Sequence, residues 1–221
     1  MKRQPEISWI NLEEWARKTH FESFTKHSKC IIHASCHLEV DILHDFCKNS
    51  GLRFYPMMVL LVTEIANRIS EFRITLSEAR LPGVWNFVSP VYTVWHDDDN
   101  TFSSICTEYD DNRNKFYQAI LCDMERYKDV KGHIVTQVPP NILPISCIPD
   151  LNFSSFTIQP CGESVYGESV APTVIWGKFF RHEGKLLMPV SISVHHAAAD
   201  GYHVSQFFNQ LQELCNEGNY L

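Results

Sequence analysis

The 221-residue chain contains no CxxC pair, no HExxH, no internal repeat and no Gly/Ser-rich or low-complexity stretch. Nothing therefore marks a linker, and a single domain over residues 1–221 is expected. No apolar run has membrane-spanning length. The longest, FYPMMVLLVTEIAN, is too short and contains Glu64, so it reads as a buried helix. Positive charge is in deficit, with 19 Lys and Arg against 26 Asp and Glu and a net charge of −7. Bulk attraction to nucleic acid or an anionic membrane is not expected, and an anionic ligand needs a local basic site. The start, MKRQPEISWINLEE, has no apolar signal-peptide core. The eight cysteines are therefore expected as free thiols in a reducing cytoplasm, acting chiefly as small buried apolar residues.

What is present is an ordinary globular composition, 44% hydrophobic and 20% charged, long enough for one sizeable core. Residues 11–27 read as a helix capped by Asn11, with Leu12, Trp15 and Phe24 at roughly helical spacing. Residues 30–40 alternate strictly: Cys30, Ile32, Ala34, Cys36, Leu38 and Val40 against Ile31, His33, Ser35, His37 and Glu39. That is a half-buried strand. Helices are expected at 41–48, from Pro56 to about 69, at 111–128 and at about 202–217. Several strands are expected within 72–109, a loop at 132–141, and short strands at 143–149 and 153–159. Residues 174–182 and 185–194 flank Glu183-Gly184 as a hairpin. The fold class is α/β: a two-layer sandwich with a mixed, mostly antiparallel sheet and helices packed on it.

The hairpin runs into VHHAAADGYHV, residues 194–204, with three histidines and one aspartate. Four readings apply. Asp200 can be simply the cap of the last helix. A strand histidine can be a satisfied buried residue. A metal site is disfavoured, because His195 and His196 are adjacent and point to opposite sides of a strand. In HASCH, residues 33–37, Cys36 likewise lies opposite His33 and His37. Finally, a neutral histidine can take a proton from a hydroxyl.

HHAAADG resembles the HHxxxDG motif of the chloramphenicol acetyltransferase family, and ordered matches accompany it. EEWARKTHFESF is similar to the family's first helix, RFYPMMVLLVTEIAN followed by SEFR to its K-F-Y-P helix, and YTVWHDDDNTFSS to its Y-T-V-F-H…T-F-S-S segment. ISCIP resembles its S-x-x-P strand, GKFFRHEGKLLMPVSISVHH its hairpin and FNQLQEL its last helix. The resemblance runs from about residue 10 to the C-terminus. A lone H-x-x-x-D-G would be weaker, since dihydrolipoyl acyltransferases carry a related motif.

The resemblance implies an acetyl-CoA-dependent O-acetyltransferase that inactivates chloramphenicol, conferring antibiotic resistance. It implies His196 as general base, direct attack on the thioester without an acyl-enzyme, and Ser146 stabilising the oxyanion. It implies Asp200 and Arg17 as an orienting pair. The acceptor pocket would include Phe24, Cys30, Phe102, Ile158 and Thr173, and Lys178 and Arg53 would meet the anionic co-substrate. It further implies a homotrimer with active sites between subunits, a small-molecule substrate, and no metal, nucleic-acid or membrane partner. Three departures stand out. Ala198 and Ala199 replace larger or sulfur-bearing residues. Ile175 stands where the family has a threonine that helps place a water near the reacting centre. Asp150 stands where it has a tryptophan toward the CoA channel. CGESVYGESVAP is also a few residues longer than is typical. These departures keep two alternatives open: another small hydroxylated or amine acceptor, or a non-catalytic binder that sequesters the antibiotic.

Overall fold

Alternation along residues 30–40 decides the layering. The strand forms over Ile31–Glu39, with Ile32, Ala34 and Leu38 packed into the core and His33 and His37 exposed on the other side. A computed structural model describes residues 3–158 and 170–221, so most of CGESVYGESVAP lies outside the described residues.

In chain order the elements are β1 (Ile7–Trp9), α1 (Lys18–Lys26), β2 (Ile31–Glu39), α2 (Asp41–Asn49) and α3 (Phe54–Arg68). A 3-10 turn (Ser70–Arg73) leads to β3 (Ile74–Leu76), β4 (Pro82–Trp85), β5 (Ser89–His96), β6 (Thr101–Cys106) and α4 (Arg113–Tyr127). Then come β7 (Ile142–Ile148), β8 (Thr173–Gly177), β9 (Phe180–His182), β10 (Lys185–His195) and α5 (Gly201–Cys215). The main sheet has the order β2-β10-β8-β7-β5-β6, with β9 also paired to β10. The β5–β7 and β7–β8 pairs are parallel; the others are antiparallel. A smaller sheet has the order β1-β4-β3.

Register carries the two-faced pattern of β2 across the sheet. Ala34, Ile192, Val174 and Ile145 form one row. All four join the core with α3 and α5 side chains such as Leu61 and Phe207. Ser35, Ser191, Ile175 and Ser146 form the next row, on the opposite face. The helices thus cover one face, and the other is rich in hydroxyls.

Three expectations change. The first helix begins at Lys18 rather than residue 11. The Asn11 side chain accepts the Glu13 N–H at 3.2 Å, closing a local turn instead of capping a helix. Residues 153–158 form no strand. They cross the hydroxyl-bearing face instead: buried Phe153 packs on Phe156, and the Phe156 carbonyl accepts from Ser191 Oγ at 2.5 Å. The hairpin arm at 174–182 is broken at Gly177 into β8 and β9. There the chain from β7 passes close by, and the Lys178 N–H donates to the Leu151 carbonyl at 2.8 Å. The hairpin turn itself is as expected, with Glu183 and Gly184 both at positive φ.

A Cβ on Gly177 would lie 2.4 Å from the Leu151 oxygen and 2.8 Å from the Phe153 ring. Gly177→Ala should therefore destabilise by about 1–3 kcal/mol, the usual cost of overpacking. Gly201→Ala meets nothing within 4 Å and serves as the control. Urea denaturation of both variants checks this; equal midpoints would contradict the crowding.

Candidate active site

Strand β10 delivers His195 opposite Ile31, and the chain then turns. The Ala198 and Ala199 N–H groups donate to the His195 carbonyl at 2.9 and 3.2 Å. His195 Nδ1 accepts the Ala197 N–H at 3.1 Å. His195 is therefore tied into the turn. The His196 N–H donates to the Cys30 carbonyl at 3.0 Å, fixing the turn to the start of β2. Ala197, Ala198 and Ala199 are fully buried.

The His196 ring lies flat on Phe24 of α1, with centroids 3.8 Å apart and planes 10° from parallel. Its Nδ1 is buried with no hydrogen-bond partner among the described residues. Nε2 is thus the ring nitrogen left to meet a ligand.

Arg17, at the N-terminal cap of α1, holds this turn at both ends. Nη1 donates to Asp200 Oδ2, and Nη2 donates to the His196 carbonyl at 3.2 Å. Asp200 is also the N-cap of α5, in a capping box completed by His203 three residues on. Burial raises the Asp200 pKa, but Arg17 and then His203 outweigh it, so the carboxyl titrates below its ordinary value.

The sheet separates Ser146 from His196. Ser146 is level with Ile175 and Ser191, whereas His196 lies five residues further along β10. That is about 17 Å along the strand and two strands, about 10 Å, across. Thr173 pairs with Ser193 on the hydroxyl-bearing face. Exposed Ile158 follows Thr157, whose Oγ1 lies 3.3 Å from Ser193 Oγ. Thr173, Ile158 and Ser146 therefore share one face, while Phe24 and Cys30 surround His196. Exposed Phe102 lies on edge strand β6, five strands from β2 and so about 24 Å away. Ile175 is buried between Ser146 and Ser191. Exposed Asp150 lies in the turn after β7, and its charge adds to the burial that pushes the Cys147 thiol up to about 12.

Arg53 and Lys178 are both exposed. Each precedes a phenylalanine, and the Phe54 and Phe179 rings meet at 5.8 Å. Two cations thus flank one small aromatic patch. Sequence reasoning passed over this patch because its halves are more than a hundred residues apart. It also passed over a polar cluster in which His33 Nδ1 lies 2.8 Å from both Ser193 Oγ and Thr157 Oγ1. The alternation of β2 and β10 signals the His33–Ser193 part; nothing in the sequence signals Thr157.

Among the described residues, no group of three or more His, Cys, Asp or Glu is arranged to hold a metal ion, and no helix is long and apolar enough to cross a membrane. Burial pushes Cys47 up to about 11, and Cys106 and Cys215 up to about 12. These thiols stay protonated near neutral pH and are poor nucleophiles.

The family model for chloramphenicol acetyltransferase matches residues 6–212. The chloramphenicol acetyltransferase of Clostridium perfringens is 38% identical over 208 residues, 94% of each chain. Chloramphenicol acetyltransferase 3 of Escherichia coli is 34% identical over 208 residues, covering 94% of this chain and 96% of that one. A solved chloramphenicol acetyltransferase has the same fold, with a TM-score of 0.80 at 22% identity over 94% of this chain and 99% of that one. With the family model spanning nearly the whole sequence and relatives above 30% identity over 94% and 96% of their length, the chain belongs to the chloramphenicol acetyltransferase family.

Proposed function

We propose that this chain, acting as a single domain, transfers the acetyl group of acetyl-CoA to a hydroxyl of chloramphenicol. The observation that carries the reading is His196. Its ring is shelved on Phe24, its carbonyl is held by Arg17, and Nε2 is the nitrogen left for a ligand. A neutral imidazole so held can take the hydroxyl proton. The alkoxide oxygen then bonds to the thioester carbonyl carbon, the C–S bond breaks, and the proton passes from Nε2 to the departing thiolate.

The oxyanion formed during attack needs a donor, and Ser146 has the right chemistry. It lies too far from His196 in the same chain. A second copy supplying its hydroxyl-bearing face to the end of β10 resolves the distance, and would also bring Thr173, Ile158 and Phe102 toward Phe24 and Cys30. This supports sites between subunits, and membership of the family suggests the homotrimer as their arrangement. Arg53 and Lys178, flanking the Phe54–Phe179 patch, suit the phosphates of acetyl-CoA. The net charge of −7 and the composition fit a cytoplasmic enzyme with small-molecule substrates rather than a nucleic-acid partner. Ile175 offers no hydrogen bond between Ser146 and Ser191, which favours, as a second reading, a different small hydroxylated acceptor.

Release of free CoA thiol from acetyl-CoA and chloramphenicol should be measurable with the purified protein. His196→Ala should lower it by about 10²–10⁴-fold with the fold intact. Silence with chloramphenicol and turnover of another alcohol would select the second reading. No turnover with any alcohol or amine would leave only a binder.

A complementation experiment addresses the shared site. His196→Ala and Ser146→Ala should each be nearly inactive alone, yet regain activity when unfolded together and refolded as a mixture. Sedimentation should give a trimer. A fully active monomer would contradict the shared site.

The Arg17–Asp200 pair predicts a pH signature. Asp200→Asn should cost toward the lower end of roughly 3–5 kcal/mol at pH 7, because the Asp200 side chain keeps 30% exposure. The folded carboxyl titrates below its unfolded value of about 3.9. Its contribution is therefore complete above that value and lost as pH falls through the folded pKa. The stability gap between wild type and variant should narrow progressively as pH falls below about 3.9 in chemical denaturation. A gap independent of pH would mean that the carboxylate charge is not what holds the turn.

A further inference from the structure

The Arg17–Asp200 pair continues beyond α5. His203 Nδ1 lies 2.7 Å from Asp200 Oδ1 and 3.2 Å from the Asp200 N–H, while Nε2 is within ion-pair distance of Glu71 Oε1, at 3.6 Å. The His203 side chain is 14% exposed and that of Glu71 23%. Glu71 belongs to the 3-10 turn after α3, and Ser70 Oγ donates to its other oxygen, Oε2, at 2.9 Å. That bond turns Oε1 toward His203. A succession of polar contacts therefore runs Glu71, His203, Asp200, Arg17, its first step a 3.6 Å approach and the rest closer, and ends on the carbonyl of His196.

The chain crosses three elements that differ in how they are anchored. The turn at Glu71 follows the most buried helix, α3, in which every residue from Pro56 to Thr63 is buried. The 196–200 turn has only alanines between its ends, and alanine side chains cannot hydrogen-bond. The third helical position of a capping box usually carries Glu or Gln; here it carries His203, whose Nδ1 is closer to the Asp200 carboxylate than to its N–H. A histidine there supplies something more: a second ring nitrogen that reaches a fixed carboxylate.

We propose that Glu71 and His203 are positioning residues for His196, acting through Asp200 and Arg17; this rests on His196 being the general base. Neither touches the reacting atoms. They fix the direction from which Asp200 meets the guanidinium, and so the height of His196 over Phe24.

The test separates capping from positioning. His203→Gln keeps a side-chain N–H donor for the Asp200 carboxylate but loses the reach to Glu71; His203→Ala loses both. His203→Gln should melt like wild type, while His203→Ala melts lower. Both His203→Gln and Glu71→Gln should lower kcat on the order of tenfold, below the about 10²-fold that a 1 Å misplacement can cost. KM for either substrate should not change. The Glu71→Gln/His203→Gln double variant should be no slower than either single one. Full kcat in His203→Gln would make His203 a helix cap only, and multiplying losses would mean two unrelated effects.

A second readout needs no turnover. In ¹⁵N-histidine spectra of substrate-free protein, the His196 ring signals, identified by their loss in His196→Ala, should move in Glu71→Gln. Unmoved signals would overturn the positioning role. Absence of thiol release by wild type would instead overturn the acetyltransferase reading, leaving the spectral result to stand alone.

Discussion

One guanidinium organises the end of the sheet. Arg17 bonds the Asp200 carboxylate with one nitrogen and the His196 carbonyl with another, so it spans the turn that joins β10 to α5. The three alanines of the turn cannot hydrogen-bond through their side chains, and an interior guanidinium needs acceptors. The turn supplies acceptors to both Arg17 Nη groups. The same helix, α1, carries Phe24, on which the His196 ring lies. Backbone and ring of His196 are thus referenced to one rigid element. A shift of α1 would move both together and preserve their relation.

The second constraint is the unequal faces of the sheet. Helices cover the row Ala34, Ile192, Val174 and Ile145, whereas Ser35, Ser191 and Ser146 look the other way. Residues 151–158 cross part of that face and satisfy Ser191 and Ser193. Ser146 has no such partner among the described contacts. A hydroxyl on a parallel strand pair, with no acceptor among the described residues, is available to donate. Under the proposed chemistry, its distance from His196 is what a site shared with a second copy would bridge.

Much of this was legible in the sequence, where local periodicity and tertiary demand agree. The alternation of β2, the Glu183-Gly184 hairpin and the amphipathic α5 all form as their patterns indicate. Legibility failed where a local turn or a distant backbone overrides the pattern. Asn11 makes its own turn, delaying α1 to the point where Arg17 can reach Asp200. Gly177 breaks a strand-like run because Leu151 needs the space above it. Phe153 and Phe156 look like strand residues, yet they fold onto each other. At the site, the motif drew attention to His195 and His196, while His203 passed as ordinary helix. Its significance depends on Glu71, which no local pattern connects to it.

The alanines of the turn follow from where it lies. Ala199 belongs to the main core with Val204 and Phe207, whereas Ala198 packs into a separate small cluster with Ile74 and Val170. Trp15, Leu76 and Val84 border that second cluster, which joins the small sheet to the chain before α1. Consecutive residues thus enter two cores on opposite sides of one backbone. A larger side chain at either position would push the turn away from one core and toward the other. His196 and Asp200 are at the turn's two ends, so such a push would tilt them relative to Arg17. Three methyl groups at 0%, 1% and 0% exposure leave the turn centred between the clusters. The polar contacts of Arg17 can then set its height without competing against packing, and the smallness of these residues is part of how His196 is aimed.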